Sequence, residues 1–230
     1  MANTANMLAQ NWITEHSFEQ FAPLNLPALE RLFPSGLARG ILGEIHGNRS
    51  SGRTAMCLNV LAQATACGEC CAIIDSNDSF HPASASVAGV DLARLVWIRC
   101  QGNVEHAMRA TDLILHAGGF GVIALDLCDA TARVLSRIPL SYWYRFRRAI
   151  ENTQTILLIL APSAQAKSAT ASVKLETKTF AWSGKPPFET VRTLSVQATL
   201  AKSPTADVKP LADGSKVRLH RAKMSFRALD

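Results

Sequence analysis

The sequence predicts an α/β fold in which a mostly parallel sheet is extended by antiparallel strands toward the C-terminus. Three observations carry this. Between Ile41 and Leu160, short and wholly apolar runs alternate with stretches of helical apolar spacing, the mark of strands buried on both faces. A glycine- and serine-rich loop, Gly47 to Gly52, separates the first of these strands from the first helix. Beyond residue 170 the pattern turns to apolar–polar alternation with no convincing helix between segments, which reads as strands with one wet face.

In chain order, Ile41–His46 reads as a strand and Thr54–Ala66 as a helix that Gly68 stops. Cys71–Asp75 and Arg94–Cys100 are strands, and Val104–Ala117 is a helix ended by Gly118-Gly119. Gly121–Asp126 is a further buried strand, Ser141–Asn152 a helix and Thr155–Leu160 a strand. Ala171–Trp182, Val191–Ala201 and, more weakly, Lys216–Phe226 form the antiparallel tail, joined by polar loops at 183–190 and 202–215. The expected organisation is an N-terminal arm over 1–35, a core over 36–200 and a basic C-terminal extension over 201–230.

With 230 residues, 48% of them apolar and 18% charged, the chain can bury a substantial core and is neither disordered nor collagen-like. No apolar run reaches the ~18–20 residues of a membrane helix, and MANTANMLAQNWITEHSF lacks a basic region followed by an apolar stretch. A cytoplasmic protein with no membrane partner is the expectation. The net charge of +6 is unevenly spread. Residues 1–132 hold seven arginines, no lysine and twelve acidic residues, a net −5, whereas residues 133–230 hold seventeen basic against six acidic residues, a net +11. The basic half therefore suits nucleic acid, an acidic protein surface, anionic lipid or simply a solvated face. Cys67-x-x-Cys70 has zinc-knuckle spacing but no second Cys/His pair downstream, so no zinc is expected and the cysteines read as small core residues.

The sharpest motif is Gly47-Asn48-Arg49-Ser50-Ser51-Gly52-Arg53-Thr54 between strand and helix. A phosphate-binding loop of the form G-x-x-x-x-G-K-[ST] curls backbone N–H groups round phosphates at a helix N-terminus, and its hydroxyl holds Mg²⁺. Every element is present except the lysine, which is Arg53, and Asp126 ends an apolar strand where a second Mg²⁺-binding residue belongs. Thr54 and Asp126 are thus the candidate metal residues, and ATP or ADP with Mg²⁺ the candidate cofactor.

Glu44-Ile45-His46-Gly47 through Thr54, Cys71–Asp75, Gly89–Leu95, Gly121–Asp126 and Ala171–Glu176 together resemble the RecA recombinase core, in the same order and over most of residues 36–200. The resemblance implies a RecA-like P-loop fold and points to what is altered. Arg53, bulkier and planar, replaces the loop lysine. Asn77 falls where that family carries the glutamate that activates water, with Asp78 as the neighbouring carboxylate. Ala161-Pro162 takes the place of the nucleotide-sensing glutamine, and the segments matching the two DNA-binding loops, Thr131–Pro139 and Ala161–Thr170, are short, the second with Lys167 as its one basic residue. Efficient ATP hydrolysis is therefore not expected.

Ile138-Pro139-Leu140, Tyr144–Glu151 and the Ala161-Pro162 turn resemble the ImuA family of accessory proteins in damage-induced mutagenesis. That resemblance implies an adaptor in translesion synthesis and the SOS response, working with a repair polymerase assembly through an ImuB-like protein or with RecA. An ATP-dependent paralogue binding single-stranded DNA and a SulA-like inhibitor of a filament-forming protein are the alternatives, and self-association fits each. Candidate DNA or partner contacts are Arg145, Arg147, Arg148, Lys167, Lys216, Arg218, Arg221 and Lys223. The aromatics interleaved with the arginines at 142–148 read equally as the core face of an amphipathic helix. Phe18, Phe21, Leu24 and Leu26 are open to a polymerisation contact or to capping their own core.

Overall fold

The computed structural model describes residues 21–22, 32–33, 36–187, 189–202 and 221–227. Its strands are β1 (Phe21–Ala22), β2 (Leu37–Ala38), β3 (Leu42–Gly47), β4 (Cys71–Asp75), β5 (Leu95–Arg99), β6 (Val122–Asp126), β7 (Ile156–Ala161), β8 (Ala171–Ser183), β9 (Thr190–Lys202) and β10 (Arg221–Arg227). Its helices are α1 (Arg53–Ala66), α2 (Pro82–Val87), α3 (Val104–Ala117), α4 (Ala132–Leu135) and α5 (Leu140–Ile150), with a 3₁₀ turn at Leu92–Arg94.

Every residue of β4, β6 and β7 is buried, as strands covered on both faces must be. They stack into an eight-stranded sheet in the order β10-β9-β8-β3-β7-β6-β4-β5, while β1 and β2 form a separate two-stranded pair. On one face α1 places Met56, Val60 and Leu61 against Ile45, Ile73 and Leu158. On the other, α3 and α5 place Met108, Leu115, Trp143, Phe146 and Ile150 against Leu42, Ile74, Ile123 and Leu125. Ala22, Leu32 and Phe33 are buried in the α1-side core.

Local chemistry sets the boundaries. Asn103 caps α3 by accepting from the His106 N–H at 3.0 Å, and Gly118, at φ 68°, ends it. The ring of His81 accepts from the Ser84 N–H, and Pro82 opens α2. These short elements, α2, α4 and the 3₁₀ turn, hold too few residues for periodicity to reveal.

One expectation is corrected in detail. The three tail strands read as antiparallel additions; β8–β9 and β9–β10 do pair antiparallel, but β8 joins the sheet by pairing parallel with β3, Gly47 facing Leu175. Alternation records which face is wet, not which way a strand runs. The expected loop at 202–215 and the first part of the weak strand, 216–220, lie largely outside the described residues, as do Phe18, Leu24 and Leu26; the backbone of Phe21 pairs with Ala38.

The parallel register brings chemistry to one edge. Asp75 lies beside Asp126, Asp126 beside Leu160, and His46 beside Ala161. The ends of β3, β4, β6 and β7 thus face one crevice at the carboxyl edge of the sheet, where open α/β folds hold ligands.

Candidate nucleotide-binding site

The loop between β3 and α1 is folded tightly by two residues in the left-handed region, Ser50 (φ 57°) and Gly52 (φ 87°). The Ser51 N–H donates to the Asn48 carbonyl at 3.2 Å, and α1 begins with the Met56 N–H donating to the Gly52 carbonyl at 2.9 Å. Gly47 is demanded by close approach: a Cβ there would lie 2.3 Å from the Leu175 carbonyl and 2.7 Å from Ser51 Oγ. The Thr177 hydroxyl donates to the Ser50 carbonyl at 2.8 Å, tying β8 to the loop.

No side chain caps the N-terminus of α1, so its first-turn N–H groups are left for another acceptor. Two buried polar groups lie beside them. Ser51 is 1% exposed, and its Oγ has no hydrogen-bond partner among the described residues; Arg53 is 6% exposed, and its Nη1 has none either. Unpaired buried polar atoms are costly and rare, and these two lie in the phosphate-loop motif. The residues present fit an anion.

Arg53 lines a cleft of about 300 Å³ with Arg49, Ser50, Thr54, Ser79, Phe80 and Asp126 among its walls. Asp126, 6% exposed at the end of β6, accepts the Cys128 N–H at 2.8 Å. Burial raises its carboxyl above the ordinary Asp range, with Asp75 and Asp129 adding to the rise and the Cys128 N–H opposing it. Cys57 and Cys128 also line the cleft, and burial pushes both thiols up, so neither is a ready nucleophile. At the rim, Arg49 and Asp129 form an exposed ion pair at 3.5 Å. Asn48, Arg49, Ser50 and Thr54 are exposed, so the outer loop is open to solvent while Ser51 and Arg53 form its inner wall.

The acidic positions after β4 behave differently. Asn77 is exposed, and its Oδ1 accepts from the Ser76 hydroxyl at 2.8 Å. Asp78, at φ 57°, pairs with Arg99 at 2.9 Å and accepts the Gln101 N–H at 3.3 Å. Neither lines the cleft. Asp75, fully buried, accepts from the N–H groups of Asn77, Ser79 and Phe80 and from Trp97 Nε1, four donors that fix the turn and leave the carboxylate saturated. Sequence reasoning missed Ser79, Phe80, Cys57, Cys128 and Asp129 as cleft residues. The last two follow Asp126 by two and three positions, which is a usable signal.

The ImuA-like and basic positions sit on several elements. On α5, Trp143 and Phe146 are buried, as the core reading of the aromatics expects, while Tyr144, Arg145, Arg147 and Arg148 are exposed. Arg145 is ion-paired with Asp112 and lies 5.1 Å over the Tyr142 ring. Lys167 is exposed on the 162–170 loop, which the buried Glu44 holds by accepting the N–H groups of Gln165 at 2.6 Å and Ala166 at 2.9 Å. Arg221 and Lys223 stand on β10, opposite Thr199 and Gln197, while Lys216 and Arg218 lie outside the described residues. His46 is half-buried with an unpartnered Nε2; burial lowers its pKa, Glu44 opposes that and Lys174 reinforces it. Cys57, Cys71 and Cys100 are buried, Cys67 is exposed, and all six cysteines are free. Among the described residues no group of three or more His, Cys, Asp or Glu could hold a metal, and no helix is long and apolar enough to cross a membrane.

The fold is thus a three-layer α/β arrangement in which the Gly47–Thr54 loop opens onto the carboxyl edge of the sheet. Residues 25–135 match the model of the RecA N-terminal domain. The chain is 37% identical over 91 residues to Protein RecA of Laribacter hongkongensis, a stretch covering 40% of this chain and 25% of that protein. It is 38% identical over 91 residues to Protein RecA of Haemophilus ducreyi, covering 40% and 24%. The match therefore spans about a quarter of the length of these curated relatives. Among solved structures, that of the RadB recombinase superposes with a TM-score of 0.63 over 90% of this chain and 96% of that one, at 14% identity. These findings support a RecA-like superfamily core.

Proposed function

We propose that this chain is a RecA-like accessory protein of DNA repair that holds a nucleotide in the cleft at Gly47–Thr54 but does not turn it over efficiently, acting as an ImuA-like adaptor in translesion synthesis. One observation supports the reading: the loop keeps its anion-binding groups, while Asn77 and Asp78, the positions that the family resemblance assigns to water activation, do not line the cleft. The buried, unpartnered Ser51 Oγ and Arg53 Nη1 beside the uncapped start of α1 supply the first half. Asn77, an amide that cannot take a proton, and Asp78, held by Arg99, supply the second.

The N–H groups of α1, with Ser51 and Arg53, would hold phosphate oxygens, and Thr54 and Asp126 would hold Mg²⁺. The bound metal would neutralise phosphate charge. The basic half, with Arg147 and Arg148 exposed on α5, would then face DNA or a repair polymerase assembly in the cytoplasm. The partner expected on this reading is an ImuB-like protein or RecA.

Calorimetric titration of ATP and ADP with Mg²⁺ into the full chain tests this, with Gly52→Asp as control and phosphate release measured in parallel. Micromolar binding that Gly52→Asp abolishes, with little phosphate release, is the expected result. No binding up to millimolar nucleotide would remove the nucleotide half of the reading. Turnover that disappears in Thr54→Ala and Asp126→Ala would replace the adaptor with an ATP-hydrolysing paralogue.

A further inference from the structure

On the face of the sheet carrying α3 and α5, residues 131–139 do not form an open loop. The segment is wound by successive turn bonds: the Leu135 N–H donates to the Thr131 carbonyl, the Arg137 N–H to Val134 and the Ile138 N–H to Leu135. Leu135 is driven into the core beneath. Between this segment and α3 lies an apolar groove of about 370 Å³, walled by Val104, Met108, Val134, Ile138 and Pro139, with Tyr142 at one side. That is within the ~300–1,000 Å³ of ordinary ligand clefts. Val134 (39% exposed) and Leu140 (47% exposed) turn apolar surface outward at and next to this wall.

The charges around the groove are asymmetric. Glu105, which lines the groove, is paired with Arg109 at 2.6 Å, and Asp112, further along α3, is paired with Arg145. Arg137 lines the groove and Arg133 lies one turn earlier; both are exposed, and neither has an acidic partner among the described residues. The rim therefore presents guanidinium groups without counter-charges beside an apolar floor. Tyr142 is not offered for base stacking, because Arg145 covers its face at 5.1 Å and Phe146 packs on it with centroids 5.8 Å apart.

We infer that this groove is a docking site for a short amphipathic segment of another protein, with one or two aliphatic or aromatic anchors seated between α3 and the 131–139 turn and carboxylates meeting Arg133 and Arg137. The apolar walls supply the buried anchor pocket and the arginines select the charge pattern beside it. The inference stands on a different face from the nucleotide cleft and does not depend on it.

The test is selection from a random dodecapeptide phage library on the immobilised full chain, counter-selected on the Val134→Asp variant. Recovered sequences, made as labelled peptides, are titrated by fluorescence anisotropy against the parent, Val134→Asp and Arg137→Glu. Both positions are exposed, and thermal melts verify that the variants fold. Sequences that combine Leu, Ile or Phe with Asp or Glu, and that bind each variant about tenfold more weakly, are the expected outcome, a factor worth ~1.4 kcal/mol. No enrichment over the Val134→Asp surface, basic sequences, or affinities that neither variant alters would overturn the proposal. Displacement of the peptides by oligothymidine would overturn it in favour of a nucleic-acid groove.

Discussion

Replacing Arg39 tests how the sheet is held at the end away from the cleft. The Arg39 and Glu69 side chains are 6% and 3% exposed, and the guanidinium meets both carboxylate oxygens and reaches the Gly121 and Gln154 carbonyls at 3.4 Å. The clamp joins the segments that enter β4, β6 and β7. Gly121 leaves room for it, since a Cβ there would fall 1.6 Å from Glu69 Oε2. Arg39→Met would strand a buried carboxylate, and breaking one side of a buried pair costs about 3–5 kcal/mol. For a chain of this length that lowers the melting temperature by roughly 10 °C. Adding Glu69→Leu to Arg39→Met should recover more than half of the loss, because removing both charges removes the desolvation problem. Five-residue strands at ~3.3 Å per residue put the clamp about 16 Å from the cleft, so nucleotide affinity of the folded protein should change less than twofold. Denaturant unfolding of the four proteins reads the cycle. A single-variant loss under about 1 kcal/mol, or a double variant weaker than Arg39→Met alone, would refute the reasoning.

Gly47→Ala should prise β8 from β3, because its Cβ would meet the Leu175 carbonyl at 2.3 Å, and limited proteolysis should find new cuts in β8 before any change appears at α3. Asp126→Asn should abolish Mg²⁺-dependent nucleotide binding while raising the melting temperature at pH 7. Burial raises this carboxyl, so the native state keeps its proton to higher pH than the unfolded chain does, and stability is lost as pH climbs through the folded value. The advantage of Asn, which still accepts the Cys128 N–H, should vanish in melts below about pH 4, the unfolded Asp value. Asn77→Glu should leave phosphate release within threefold of the parent, since that side chain is outside the cleft. With a maleimide at pH 8, Cys67 should label first, while Cys71, its thiol pushed up to about 12 by burial, should label only on unfolding, as intact-mass spectra would record.

Much of this architecture is legible in the chain because its signals are local. Cys71–Asp75 and Val104–Ala117 are found within the bounds that the apolar runs and Gly118-Gly119 mark out. The strand–loop–helix setting of Gly47–Thr54 is legible for the same reason, all eight residues being consecutive. What could not be read depends on distant partners. Glu44 looks like a polar interruption in an apolar strand, but its Oε1 accepts from N–H groups 121 and 122 residues away and its Oε2 from the Ser172 hydroxyl, 128 residues away. Glu69 and Arg39 are likewise a pair only once three strand entries converge. Asn77 and Asp78 are adjacent letters whose directions are set by Ser76 and Arg99, and no spacing rule gives those. The parallel pairing of β8 is hidden because face alternation is blind to strand direction.

Arg53 is where the fold and the proposed function press on each other. A guanidinium at 6% exposure with an unpartnered Nη1 is an expensive thing to bury, and a well-packed apolar side chain of similar length would relieve the cost. The acids that line the same cleft among the described residues do not solve the problem: Asp126 is engaged by the Cys128 N–H, and Asp129 is paired with Arg49 at the rim. An anion drawn to the uncapped start of α1 would satisfy Arg53, Ser51 and the free N–H groups together. The same anion would gain nothing from Asn77, which lies outside the cleft. On the proposed reading, the cost retained at Arg53 and Ser51 is what a loop kept for holding an anion would show.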